Sequence, residues 1–129
     1  MPESKARILV VEDNADEAQM VKMILEPEGY EVAVAGNGEE GLEQAEAARP
    51  DLIILDVMMP VLDGFAMCAK LREDPEYRKI PVILLTAVAD RVRDTKYPLD
   101  GVLRAEAEEY LEKPVDPEQL VATVKRWLE

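Results

Sequence analysis

Short, continuous apolar runs recur along the chain, at Ile8 to Val11, Leu52 to Leu55 and Val82 to Leu85. Runs of this kind, without polar alternation, suit strands covered on both faces, which is the condition of a parallel sheet. Val32 to Ala35 and the brief Tyr110-Leu111 add two weaker candidates. Helix start signals stand between the runs. Asn14-Ala-Asp-Glu17 and Asn37-Gly-Glu-Glu40 each set a capping side chain three residues before a glutamate, a spacing that can satisfy orphan backbone donors reciprocally. Asp116-Pro117-Glu118-Gln119 repeats the pattern with proline at the first helical position, where its missing donor costs nothing.

Apolar residues recur at helical spacing behind these signals: Ala18, Val21, Ile24 and Leu25; Leu42 and Ala45; Gly64, Cys68 and Leu71; Leu120, Val124, Trp127 and Leu128. Pro27 and Gly29 stop the first helix and Asp74-Pro75 the third, while Pro81 introduces a strand. Met67 and Cys68 are expected to pack beneath the third helix, and Trp127 to anchor the last helix on the sheet. Five strands alternating with helices in 129 residues predict one α/β domain, residues 1–129. The architecture is a doubly wound parallel sheet with right-handed crossovers and helices on both faces. In such sheets ligands bind at the carboxyl ends of the strands.

The residues that close the strands are polar. Glu12 and Asp13 follow the first run, Asp56 ends the third, Thr86 ends the fourth and Lys113 follows the fifth. Three carboxylates, a hydroxyl and an ammonium are thus expected at one sheet edge. Two unit charges ~4 Å apart repel by about 4 kcal/mol at an effective dielectric near 20, so the cluster calls for a compensating cation. A hard divalent ion such as Mg²⁺ suits oxygen ligands of this sort together with a phosphoryl group. The set predicts a metal-assisted phosphoryl site with a carboxylate nucleophile.

Composition narrows the field further. Fifteen basic against 28 acidic residues give a net charge of −13, which disfavours binding nucleic acid or anionic membrane. One cysteine and no histidine remove most zinc, haem, disulfide and Ser-His or Cys-His chemistry. No signal-peptide region or membrane-length apolar run is found, so a cytoplasmic location is expected.

Glu12-Asp13 after the first strand, LDVMMPVLDG from Leu55 to Gly64, Thr86-Ala87, and Tyr110-Leu-Glu-Lys113-Pro114 resemble the receiver domain of bacterial two-component response regulators. The likeness covers essentially the whole chain. It implies a flavodoxin-like sheet of strand order 2-1-3-4-5 and a phosphorylation-controlled switch of the stand-alone type, not a turnover enzyme. By resemblance, Asp56 accepts a phosphoryl group from a histidine kinase or histidine phosphotransfer protein. Asp13, Asp56 and the backbone carbonyl of Met58 would bind Mg²⁺ directly, with Glu12 acting partly through water. Lys113 would pair with the phosphoryl oxygens, Thr86 would move to hydrogen-bond them, and Tyr110 would be the switch aromatic. The Lys113-Pro114 bond is expected to be cis, where proline lowers the penalty. Output would pass through contacts with a downstream protein.

Two stretches depart from the family pattern. The segment VADRVRDTKYPLDGVLRAEAEE is longer than usual, and Pro98 with Asp100-Gly101 argues against a full-length helix between 90 and 109, leaving that stretch the most mobile. Met58 and Val88 offer no hydrogen bond to a hydrolytic water, so a long-lived phosphorylated state is expected. The rival class is a small aspartyl-phosphate hydrolase of the haloacid dehalogenase type. That chemistry wants a second aspartate two residues after the nucleophile, where this chain has Met58.

Overall fold

The computed structural model describes residues 6–56, 64–86 and 108–129, excluding the side chains of 64–66 and 68. Five strands, β1 (Arg7–Val11), β2 (Glu31–Ala35), β3 (Leu52–Asp56), β4 (Val82–Thr86) and β5 (Glu109–Glu112), form one sheet. Every pairing is parallel and the order is β2-β1-β3-β4-β5, as expected. Among the described residues the helices are α1 (Ala15–Leu25), α2 (Gly38–Ala48), α3 (Gly64–Glu73) and α4 (Pro117–Leu128). None of them is long and apolar enough to cross a membrane.

The unbroken apolar runs follow from burial on both sides. Ile8, Val10, Leu52, Ile54, Ile83 and Leu85 share one core with Val21 and Leu25 of α1 and Leu120 and Val124 of α4. Their alternates, Leu9, Val11, Ile53, Leu55, Val82 and Leu84, share the other with Ala45 of α2 and Met67 and Leu71 of α3. Each such side chain contributes about 1.5–3 kcal/mol on burial, so every second residue holds a different helical layer in place. The edge strands β2 and β5 lack this continuity because part of each is exposed or half-buried. Packing is tight where α2 crosses β1: a Cβ on Gly41 would lie 2.9 Å from Val11 Cγ2, so only glycine admits the approach.

Helix ends depart from the sequence expectation in detail. α1 stops at Leu25 and a 3₁₀ turn, Glu26–Glu28, follows, capped by Gly29 at a φ of 98°. Asn37 Oδ1 accepts from Glu40 N at 2.9 Å, but the Glu40 carboxylate returns to Gly36 N at 2.8 Å rather than to the cap residue. Asp116 caps Glu118 N at 3.1 Å, one position earlier than a capping box requires. Trp127 is 39% exposed and does not anchor the core. Its indole N–H donates to Glu109 Oε2 at 3.1 Å, which holds the ring at the outer edge of β5; the helix is seated instead by Leu120 and Val124.

At the amino end of the sheet, Arg72 of α3 ties three segments together. Its Nη1 donates to the carbonyls of Arg78 and Ile80 at 2.9 and 3.0 Å, and its Nη2 pairs with Glu108 Oε1 at 2.6 Å. Glu108 Oε1 also accepts from Val82 N at 2.7 Å, so the starts of β4 and β5 are fixed to one another. Met58, Val88, the Cys68 side chain and the stretch 90–107, on which several expectations fall, lie outside the described residues.

Candidate functional site: an acidic cluster around one lysine

Register decides what meets at the carboxyl edge. Val11 pairs with Leu55, Asp56 with Leu85, and Thr86 with Glu112, so all of these strands stop at nearly the same level. Two hydrogen bonds carry the alignment one residue further: Glu12 N donates to Ala35 O at 3.0 Å and Lys113 N to Thr86 O at 2.9 Å. The edge includes the β1–β3 gap, where the strand order reverses and this architecture leaves a crevice.

Glu12, Asp56 and Thr86 are each only 3% exposed, whereas Asp13 faces solvent. Carboxylate oxygens of Glu12, Asp13 and Asp56 all lie within 4.8 Å of one another. Lys113 Nζ stands 3.1 Å from Asp56 Oδ1 and 3.4 Å from Glu12 Oε1. The Lys113–Pro114 bond is cis. Tyr110 is half-buried, packed against the core under α2 and α3.

The electrostatics are unbalanced. Burial, then the hydrogen bond to Asp56 and its repulsion, push the Glu12 carboxyl up to about 8, against the pull of Lys113 and of Asn14 N–H. Burial works against the Lys113 ammonium, but Asp56 and Glu12 outweigh it and raise its pKa above the ordinary value. One ammonium does not neutralise three converging carboxylates. The donor set of hard oxygens, half buried and half open, fits a divalent cation such as Mg²⁺.

Sequence reasoning missed a fourth carboxylate. Glu17 was assigned to a capping box, and its N–H does donate to Asn14 Oδ1 at 3.0 Å. Its side chain does not return to Asn14 N, which donates to Glu12 Oε2 at 3.2 Å instead. Glu17 Oε1 lies 3.2 Å from Lys113 Nζ. The available signal was position: the first turn of a helix leaving β1 lies over the same sheet edge as Glu12.

Comparison with known proteins agrees with this arrangement. Residues 8–125 match the family model described as response regulator receiver domain. The response regulator PleD of Caulobacter vibrioides is 42% identical over 123 residues, 93% of this chain but only 25% of PleD, so the chain spans about a quarter of that relative. Among solved structures, the signal receiver domain of a signal transduction histidine kinase from Syntrophus aciditrophicus is 41% identical with a TM-score of 0.87, covering 95% of this chain and 89% of that one. The receiver domain of the sensor histidine kinase PA1611 from Pseudomonas aeruginosa, described with a magnesium ion coordinated in the active site cleft, is 31% identical with a TM-score of 0.85 over 97% and 98% of the two chains. With the family model matched from residue 8 to residue 125 on a sheet of order β2-β1-β3-β4-β5, the chain belongs to the response regulator receiver domains.

Proposed function

We propose that the domain is a phosphorylation-controlled switch that accepts a phosphoryl group on Asp56. The observation that carries this is the Asp56 carboxylate, buried at the end of β3, 3.1 Å from Lys113 Nζ and grouped with the oxygens of Glu12 and Asp13. An Asp56 oxygen attacks the phosphorus of a phosphohistidine on a histidine kinase or phosphotransfer protein. The P–N bond breaks, an acyl phosphate forms, and the leaving imidazole takes a proton from solvent. Glu12, Asp13, Asp56 and the backbone carbonyl of Met58 would hold Mg²⁺, which when bound neutralises charge on the transferring group.

Lys113 pairs with a phosphoryl oxygen, supplying positive charge without proton transfer. Thr86 and Tyr110 are the switch residues in this proposal, one reaching toward the phosphoryl group and the other changing its packing. A dianionic group in place of one carboxylate oxygen biases any surface with two arrangements, which a downstream protein then reads.

Intact mass after acetyl phosphate treatment tests the proposal. One phosphoryl group per chain is expected with Mg²⁺ and none with chelator or in Asp56→Asn. Undiminished labelling of Asp56→Asn would overturn it, as would sustained turnover of the donor far beyond one equivalent, the signature of a hydrolase.

A further inference from the structure

An ammonium has three protons and no acceptor, so Lys113 offers three hydrogen bonds. Three carboxylates, on three different elements, already stand around it: Asp56 at 3.1 Å, Glu17 at 3.2 Å and Glu12 at 3.4 Å. A phosphoryl oxygen on Asp56 would be a further acceptor, and one of the three must give way. Asp56 carries the new group itself. Glu12 has a side chain 1% exposed and also accepts from Asn14 N, so it has neither water nor space to turn to. The Glu17 side chain is 39% exposed, sits in the first turn of α1, and can exchange Lys113 for solvent.

We propose that Glu17 is a positioning residue that occupies a donor of Lys113 until a phosphoryl oxygen displaces it, and so sets how tightly the site takes a phosphoryl group. This rests on the phosphoryl-accepting function proposed above. With Asp56 unmodified, the Glu17 contact keeps the lysine head extended over the site despite its long, flexible stem. Once Asp56 is modified, that contact is lost, and its loss weighs against the modified state.

Glutamine at position 17 keeps the length of the side chain and the backbone N–H that Asn14 caps, while weakening the hold on Lys113. Aspartate keeps the charge close by but is one methylene shorter and falls short of Lys113. Beryllofluoride, which mimics a phosphoryl group on a carboxylate, is the probe, titrated calorimetrically into the full chain at saturating Mg²⁺. Glu17→Gln is expected to bind it roughly threefold to tenfold more tightly, the scale of one partly exposed ion pair. Glu17→Asp should behave like the glutamine variant if competition for Lys113 is what matters.

Equal affinity of wild type and Glu17→Gln would overturn the inference and leave the proposed function standing. Aspartate behaving like wild-type glutamate would also overturn it, because through-space charge alone would then explain the effect. Failure of the wild type to bind beryllofluoride at all would instead overturn the proposed function. Thermal midpoints of the three proteins without ligand should agree closely, which separates this role from a merely structural one.

Discussion

The two ends of the sheet bury charge in opposite ways. At the amino end, Arg72 has an 11% exposed side chain, and its guanidinium meets the Glu108 carboxylate and two backbone carbonyls, while Glu108 also accepts from Val82 N. Charge is matched one to one there and the fork geometry of arginine is used in full. At the carboxyl end, Lys113 faces three carboxylates and Asp13 adds another nearby. The balanced end locks strand starts together; the unbalanced end is left to bind something positive. Stability and function are separated along the strands.

Breaking the amino-end pair should have the largest effect. Arg72→Ala leaves Glu108 partly buried without its cation and removes donors from two carbonyls, for an expected loss of about 2–4 kcal/mol in chemical denaturation. Because Glu108 immediately precedes β5, loosening it also frees the strand that carries Tyr110 and Lys113. A variant within ~0.5 kcal/mol of wild type would mean that the two ends do not differ in the way their ion pairs imply.

The balanced end was not visible beforehand, whereas much of the other was. β1, β3 and β4 could be read because burial on both faces writes an unbroken apolar run, and each run stops where Glu12, Asp56 or Thr86 begins. Arg72 and Glu108 lie 36 residues apart with no periodic pattern to join them; only the folded register brings them together. Glu17 was hidden for a different reason. Its spacing from Asn14 matches a capping box, and the choice between Asn14 N and Lys113 depends on a residue 96 positions away (113 − 17). Trp127 shares the helical stripe of Leu120 and Val124, but the last turn of α4 reaches the edge of β5, where Glu109 offers an acceptor for its indole N–H. Local pattern sets which face a residue takes; it does not say whether the sheet extends beneath it.

A pH titration of stability sharpens the comparison next. In the metal-free protein the Glu12 carboxyl titrates near 8, against an ordinary value of 4.5. Between those values the folded state keeps a proton that the unfolded chain has lost, so the unfolded state binds fewer protons and stability falls as pH rises. Above about 8 both states are ionised and the folded state bears the whole cost. Denaturation with chelator present should therefore show stability declining from pH 5 to pH 9, by on the order of a few kcal/mol. Glu12→Gln should flatten that decline and saturating Mg²⁺ should reduce it. A wild-type profile that rises across this range would show that burial and Asp56 do not hold the Glu12 proton.

The smallest effect belongs to Asp13, the exposed member of the cluster. Asp13→Asn removes one repelling charge from a solvated position, so without metal the variant should be more stable than wild type by less than about 1 kcal/mol. Its larger consequence is for the cation. Binding to the folded state alone stabilises by RT ln(1 + [L]/Kd), and a cation that has lost one of its oxygen ligands has a higher Kd. Thermal melts with and without Mg²⁺ should therefore show a slightly higher midpoint for the metal-free variant and a clearly smaller Mg²⁺ gain. Equal gains in the two proteins would place the cation away from Asp13, and the excess of negative charge at this end of the sheet would then have to be balanced by something other than metal.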